Sequence, residues 1–200
     1  MSNCVTDFLV CRGGPLRNSL VILGILEDQD IEWFTRIGQK SVLSTGDILI
    51  EEGNPIESLW FVLEGSLSVT TIKDTSIKLA TTYPGEIVGE VSFLDSRPPS
   101  VTLIAAERTT LLEITRKELQ IKLQNDFSFA SRFYRAIGVC VAQRLIHLTQ
   151  TTLTISTLGV VDKDTEQEED TGTVLDPDVL EAMSLASRRF EYLVERATKN

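Results

Sequence analysis

The chain has 200 residues, 42% of them hydrophobic, and a formal net charge of −10. That length suits one domain of about 100–150 residues with extensions. So large an acidic excess disfavours phosphate backbones and anionic lipid, so no nucleic-acid partner is expected, and no apolar run approaches the roughly 20 residues of a membrane span.

Residues 1–19 hold Gly13-Gly14-Pro15, show no sustained period, and read as a loose N-terminal arm. A basic region followed by an apolar core is lacking, so no secretory signal is expected. From Leu20 to Gly38 the apolar positions Ile22, Leu23, Leu26, Ile31, Trp33, Phe34 and Ile37 suit two short helices, with Asp28 placed to cap the second. The period then changes to two. Residues 41–43 and 48–51 flank Thr45-Gly46-Asp47, a turn of the hairpin kind. Leu59, Phe61, Leu63, Leu67 and Val69 fall on one face of a long strand bent at Gly65. Lys73-Asp74-Thr75-Ser76 turns the chain, and residues 77–82 return it.

The most informative stretch runs from Tyr83 to Ala106. It reads as a turn at Pro84-Gly85, a short strand, a Gly89-Glu90 corner and one turn of helix. A loop stiffened by Pro98-Pro99 then leads into a β-branched strand. A glycine before a short helix leaves free N–H groups at the helix start, here those of Val91 and Ser92, which make an anion cradle. Gly89 lets a phosphate approach the backbone, and the Glu90 carboxylate can accept from a sugar hydroxyl.

Residues 101–105 and 109–114 are the last two strands, and strands this short with turns between them give a β-barrel or sandwich. Residues 116–123 make a short helix and 127–149 a longer one. Along the longer helix Ala130, Phe133, Ile137, Val141 and Leu148 form one apolar stripe; Val139, Ala142 and Ile146 form another. One stripe covers the barrel mouth and the other wants a partner. Cys140 is expected as a small buried apolar residue, and His147 as an exposed residue near the helix end. Cys4, Cys11 and Cys140 are odd in number and far apart, which fits a reducing, cytoplasmic compartment. None has His or Cys neighbours at ligand spacing, so no metal site is assigned. Residues 150–175 form an acidic linker, and over 151–200 eleven acids face five bases. Asp176-Pro177 opens a final helix, residues 176–200, with Val179, Met183, Ala186, Phe190, Leu193 and Ala197 on one face. That face docks on the chain's own domain or pairs with another protein or a second copy.

The stretch around Gly89-Glu90 resembles the phosphate-binding cassette of the cyclic-nucleotide-binding domain family, the sensor barrel of catabolite activator proteins and protein kinase A regulatory subunits. The resemblance covers roughly residues 20–149. Gly46, Gly53, Gly65, Gly85 and Gly89 fall where that family places its barrel turns. It implies a mainly β chain: a jelly-roll barrel, or double-stranded β-helix, with N-terminal helices, a cassette helix and a long C-helix. The amphipathic tail helix lies outside it. In the family the cassette glutamate holds the ribose 2′-hydroxyl, which here is Glu90, and an arginine pairs with the cyclic phosphate. That position is Pro99, with Arg97 two residues upstream. The nucleotide-binding residues implied are Gly89, Glu90, Val91, Ser92, Arg97, Ser100 and Val101, and the ligand is cyclic AMP or cyclic GMP. A homodimer through the C-helix is expected by the same resemblance. So is a sensor without the DNA-binding domain of its transcription-factor relatives, since residues 151–200 offer one helix and no basic face.

With one histidine and no Gly-x-Ser-x-Gly or phosphate-loop motif, no enzyme is expected. Two readings follow. In one the barrel senses a cyclic mononucleotide and signals to a protein partner, or to a second copy, through the C-helix and residues 176–197. In the other, motivated by Pro99, it is a nucleotide-independent scaffold. A DNA-binding regulator is a distant third.

Overall fold

A computed structural model describes residues 21–71, 78–158 and 177–199. The N-terminal arm with Cys4 and Cys11, the turn at 73–76, linker residues 159–175, Asp176 and the His147 side chain lie outside the described residues. The described chain opens with α1 (Val21–Ile25) and α2 (Asp28–Ile37). Eight strands follow: β1 (Gln39–Leu43), β2 (Ile48–Ile50), β3 (Ser58–Glu64), β4 (Leu67–Thr70), β5 (Ala80–Thr82), β6 (Ile87–Val88), β7 (Thr102–Ala105) and β8 (Thr109–Thr115). Between β6 and β7 lies α3 (Glu90–Asp95), and after β8 come α4 (Arg116–Asn125), α5 (Phe127–Leu158) and α6 (Pro177–Lys199).

The strands form two four-stranded antiparallel sheets, ordered β1-β8-β3-β6 and β2-β7-β4-β5. They close as the double-sheet barrel expected, flanked by helices. β3 shows why the layers sit where they do. Its side chains alternate between two buried environments. Leu59, Phe61 and Leu63 join the helices in one core cluster. Trp60 and Val62 face the barrel interior with Ile50, Leu67, Val88, Leu103 and Leu111. A strand covered on both faces needs an apolar run rather than alternation, which residues 59–63 supply.

Several local expectations are corrected. Thr45-Gly46-Asp47 is no hairpin, because β1 pairs with β8 and β2 with β7, in different sheets. The turn is a corner held across the barrel: Gly46 donates to the Ala105 carbonyl at 2.8 Å, and Ala105 donates to the Asp47 carbonyl at 2.9 Å. Nor do residues 59–69 form one strand with one apolar face. Gly65 takes φ +79°, which no β-branched or bulky residue adopts readily. The chain there leaves the β8 ladder for that of β7, so Leu67 faces the barrel interior and Leu63 the helices. The cap of α2 is Glu27, not Asp28; the Glu27 N–H donates to Asp30 Oδ2 at 2.9 Å.

The long helix α5 runs to Leu158, past the expected end at Thr149. Phe129, Phe133, Ala136 and Ile137 are fully buried, with Ala130, Cys140 and Val141 packed against the same core. The Phe129 and Phe133 rings stack at 5.6 Å, and Phe34 meets both. Of the second stripe, Ala142 and Ile146 are exposed. The N-terminal part of α5 is also pinned by charge. Arg132 forks onto Asp30, with Nε–Oδ2 at 2.8 Å and Nη2–Oδ1 at 2.9 Å.

The tail helix α6 docks on the chain's own α1 and α2, burying Ala186, Phe190, Leu193 and Ala197. Arg189 donates to the carbonyls of Leu23 and Gly24 and pairs with Asp28 at 2.7 Å. A cation on the last carbonyls of α1 suits that helix end. From Ala186 to Ala197 the apolar face of this helix is therefore covered within the chain. Among the described residues no helix is long and apolar enough to cross a membrane.

Candidate functional site

The site is built on the corner between β6 and β7. Gly89 caps α3 with φ +88°, and a Cβ there would lie 3.0 Å from Ile56 Cδ1 and 3.1 Å from the Ser58 carbonyl oxygen. Both the backbone angle and the close approach select glycine. The carbonyl of Gly89 accepts from Phe93 N–H, so α3 winds a little over one turn. Arg116 holds its far side, donating to the Ser92 carbonyl at 2.6 Å and lying 5.2 Å over the Phe93 ring. Ser96, in the left-handed region at φ 58°, ends the helix.

All seven residues named from the sequence line one cavity of about 860 Å³. Its walls are apolar side chains of the barrel, among them Ile50, Val69 and Leu103, and α5 closes it with Cys140 and Arg144. Apolar walls with a few convergent polar groups are the usual make-up of a small-molecule pocket. The seven are not equivalent, however. Glu90 is 1% exposed and Ser92 5%, whereas the Arg97 side chain is 82% exposed at the rim. Arg97 is spoken for locally. Its Nε and Nη2 each lie 2.7 Å from Asp95 Oδ2, and its N–H donates to Asp95 Oδ1. Those bonds hold the Asp95 carboxyl below its ordinary range. Pro99, at the family's arginine position, is buried, and its carbonyl accepts from Gly53 N–H at 2.8 Å.

Sequence reasoning missed the residue that dominates the interior. Arg144 of α5 reaches into the cavity and pairs with Glu90 Oε1 through Nη1. Its Nη2 donates to the Ile87 carbonyl at 2.8 Å and lies 3.4 Å from Glu86 Oε2. Burial pushes the Glu90 carboxyl above its ordinary range, and Arg144 pulls it partly back. Glu86 is raised for the same reason, with the same cation opposing. The Cys140 thiol, one turn before Arg144, is half-buried and pushed up to about 11 by burial, so it stays a neutral thiol. A signal for Arg144 was present. It continues the buried series Phe133, Ile137, Cys140 at spacings of four, three and four, and a cation in register with a core stripe calls for a buried acid.

Two antiparallel sheets around an apolar cavity, a glycine-capped helix at its edge and a long helix across it define a barrel with a ligand-sized cavity. The family model of the cyclic nucleotide-binding domain matches residues 40–126. The chain is similar to the CRP-like protein Clp of Xanthomonas campestris, with 30% identity over 142 residues, 69% of this chain and 62% of that relative. It thus spans about 62% of the length of the curated relatives it matches. Among solved structures, the c-di-GMP responsive global regulator CLP of Xanthomonas campestris is 28% identical with a TM-score of 0.58, covering 66% of each chain. A cyclic nucleotide-binding domain from Methylobacillus flagellatus is 18% identical with a TM-score of 0.62, covering 75% of this chain and 86% of that one; it shares the fold. Residues 40–126 thus belong to the cyclic nucleotide-binding domain family. A relative named as a global regulator of gene expression gives no support to the expectation, read from net charge alone, of no nucleic-acid partner.

Proposed function

We propose that this chain is a regulatory module that binds a cyclic mononucleotide, cyclic AMP or cyclic GMP, in the cavity between α3 and α5. The observation that carries this is the gathering of Gly89, Glu90, Val91, Ser92, Ser100 and Val101 around one cavity that α5 closes. Gly89 admits the phosphate, Glu90 accepts from the ribose, and α5 responds to occupancy. The signal leaves through α5, whose Ala142, Leu145 and Ile146 are exposed and offer a face to a second copy or another protein. The work is binding and relay, not turnover. Affinity is weak by family standards. A bidentate arginine–phosphate contact contributes roughly 1.5–3 kcal/mol, and a proline in its place costs about 10-fold to a few hundred-fold in binding.

The exposed Arg97 and buried Pro99 favour a second reading, a nucleotide-independent scaffold. Calorimetric titration with cyclic AMP and cyclic GMP, and with cyclic di-GMP because a relative responds to it, decides between them. Saturable heat at micromolar to submillimolar cyclic mononucleotide establishes the sensor. No heat with any of the three at millimolar concentration removes it and leaves the scaffold. Heat with cyclic di-GMP alone would keep a sensor but replace its ligand.

A further inference from the structure

The described lining of the cavity holds two cations and three carboxylates: Arg97, Arg144, Glu86, Glu90 and Asp95. An anion entering it meets one buried and one half-buried carboxylate, so binding requires a cation that faces the interior. Arg97 does not serve. It lies at the rim, 82% exposed and neutralised by Asp95, where solvent screens what charge remains. Arg144 is placed differently. Its guanidinium is already in contact with Glu90, the first residue of α3, and its side chain is 36% exposed, so one edge stays open. Its contacts with Glu90, Ile87 and Glu86 use the two Nη atoms, while a guanidinium carries five N–H donors in a planar fork. It can therefore hold a carboxylate on one side and a phosphate oxygen on the other.

On the reading that the cavity takes a cyclic nucleotide, we propose that Arg144, supplied by α5, meets the ligand's phosphate in place of the cassette arginine that this chain lacks. The guanidinium then bridges Glu90 and the phosphate, and the other oxygen of Glu90 accepts from the ribose hydroxyl. One side chain thus joins the ligand's charge to the helix that closes the site. The cassette itself needs no arginine.

The test is calorimetric titration of the full chain and of Arg144→Gln, Arg144→Lys and Arg97→Ala with cyclic AMP and cyclic GMP, each variant first checked for a native melting transition. Arg144→Gln is expected to weaken binding by about tenfold or more. Arg144→Lys keeps the charge but not the fork, so it falls between Gln and wild type. Arg97→Ala changes affinity by less than about threefold. Unchanged affinity in Arg144→Gln, equal losses in the Gln and Lys variants, or a larger loss in Arg97→Ala overturns the inference while leaving the sensor standing. Absence of binding by the wild-type chain overturns the sensor reading, and this inference with it.

Discussion

Replacing Arg132 with methionine tests whether the N-terminal part of α5 is held by charge as well as by packing. Asp30 is 1% exposed and takes two charge-assisted bonds from Arg132, at 2.8 and 2.9 Å. Removing one partner of a buried pair costs about 3–5 kcal/mol, because the remaining charge is left uncompensated. Two features put this case at the low end. Asp30 keeps the Glu27 N–H as a donor, and the Arg132 side chain is 18% exposed, so its partner has some access to water. The expected loss is about 3 kcal/mol, or roughly 6–12 °C in Tm for a chain of this size. Urea denaturation followed by tryptophan fluorescence reads it directly, since Trp33 lies beside Phe129 in the same cluster. Adding Asp30→Asn should restore more than half the loss, because no buried charge is then unpaired. A loss below about 1 kcal/mol, or no recovery in the double variant, would refute the argument.

Three further outcomes follow from other parts of the structure. Phe133→Ala removes a fully buried ring that stacks on Phe129, and should cost about 3–5 kcal/mol in the same denaturation assay. Gly65→Ala places a Cβ 2.5 Å from the Arg108 carbonyl oxygen at φ +79°, so a loss of at least about 1–3 kcal/mol is expected, with a lower midpoint at unchanged slope. Glu86 and Glu90 have folded pKa values above the ordinary 4.5, so between that value and their folded values the folded chain holds more protons than the unfolded one. Their contribution is fully present at low pH and is lost as pH rises through that window. Arg144→Gln, which removes the opposing cation, should steepen the loss; denaturation at about pH 5 and about pH 7.5 compares the two chains.

The barrel was legible because its turns are tied to residue type. Gly46, Gly53, Gly65, Gly85 and Gly89 all take positive φ, the one demand a sequence can advertise without reference to distant partners. Pairing was not legible at that level. Thr45-Gly46-Asp47 looks like a hairpin turn, but whether its flanking strands pair depends on β7 and β8, more than 50 residues away. The same holds for the site. Gly89 and Glu90 declare themselves through a local turn and helix start, so the cassette could be placed. Arg144 is distant from them in sequence, and only the docking of α5 brings it to Glu90. Arg97, by contrast, is near the cassette in sequence and drawn away from it by Asp95, a carboxylate two residues earlier. Sequence proximity pointed to Arg97, which the fold leaves exposed at the rim, while Arg144 reaches the cavity from α5.

That substitution bears on how such a chain could signal. An arginine in the cassette would fix a phosphate to the barrel and leave α5 to respond indirectly. Here the cation inside the cavity is part of α5 itself. Along that helix, restraint is graded. Arg132 is locked on Asp30, and Phe129, Phe133, Ala136 and Ile137 are fully buried. Beyond Ile137 the packing loosens, and Ala142, Leu145 and Ile146 are exposed. Arg144 lies about 18 Å past Arg132 at 1.5 Å per residue, among these lightly packed positions. A helical segment with few buried contacts opens at lower free-energy cost than an anchored one. On the proposed reading, a charge that engages Arg144 would act on a lightly packed part of α5, while the Arg132–Asp30 pair holds the packed part in place. Leu145 and Ile146, exposed, follow the arginine directly, so on the proposed reading a ligand held by Arg144 would alter the surface that α5 presents.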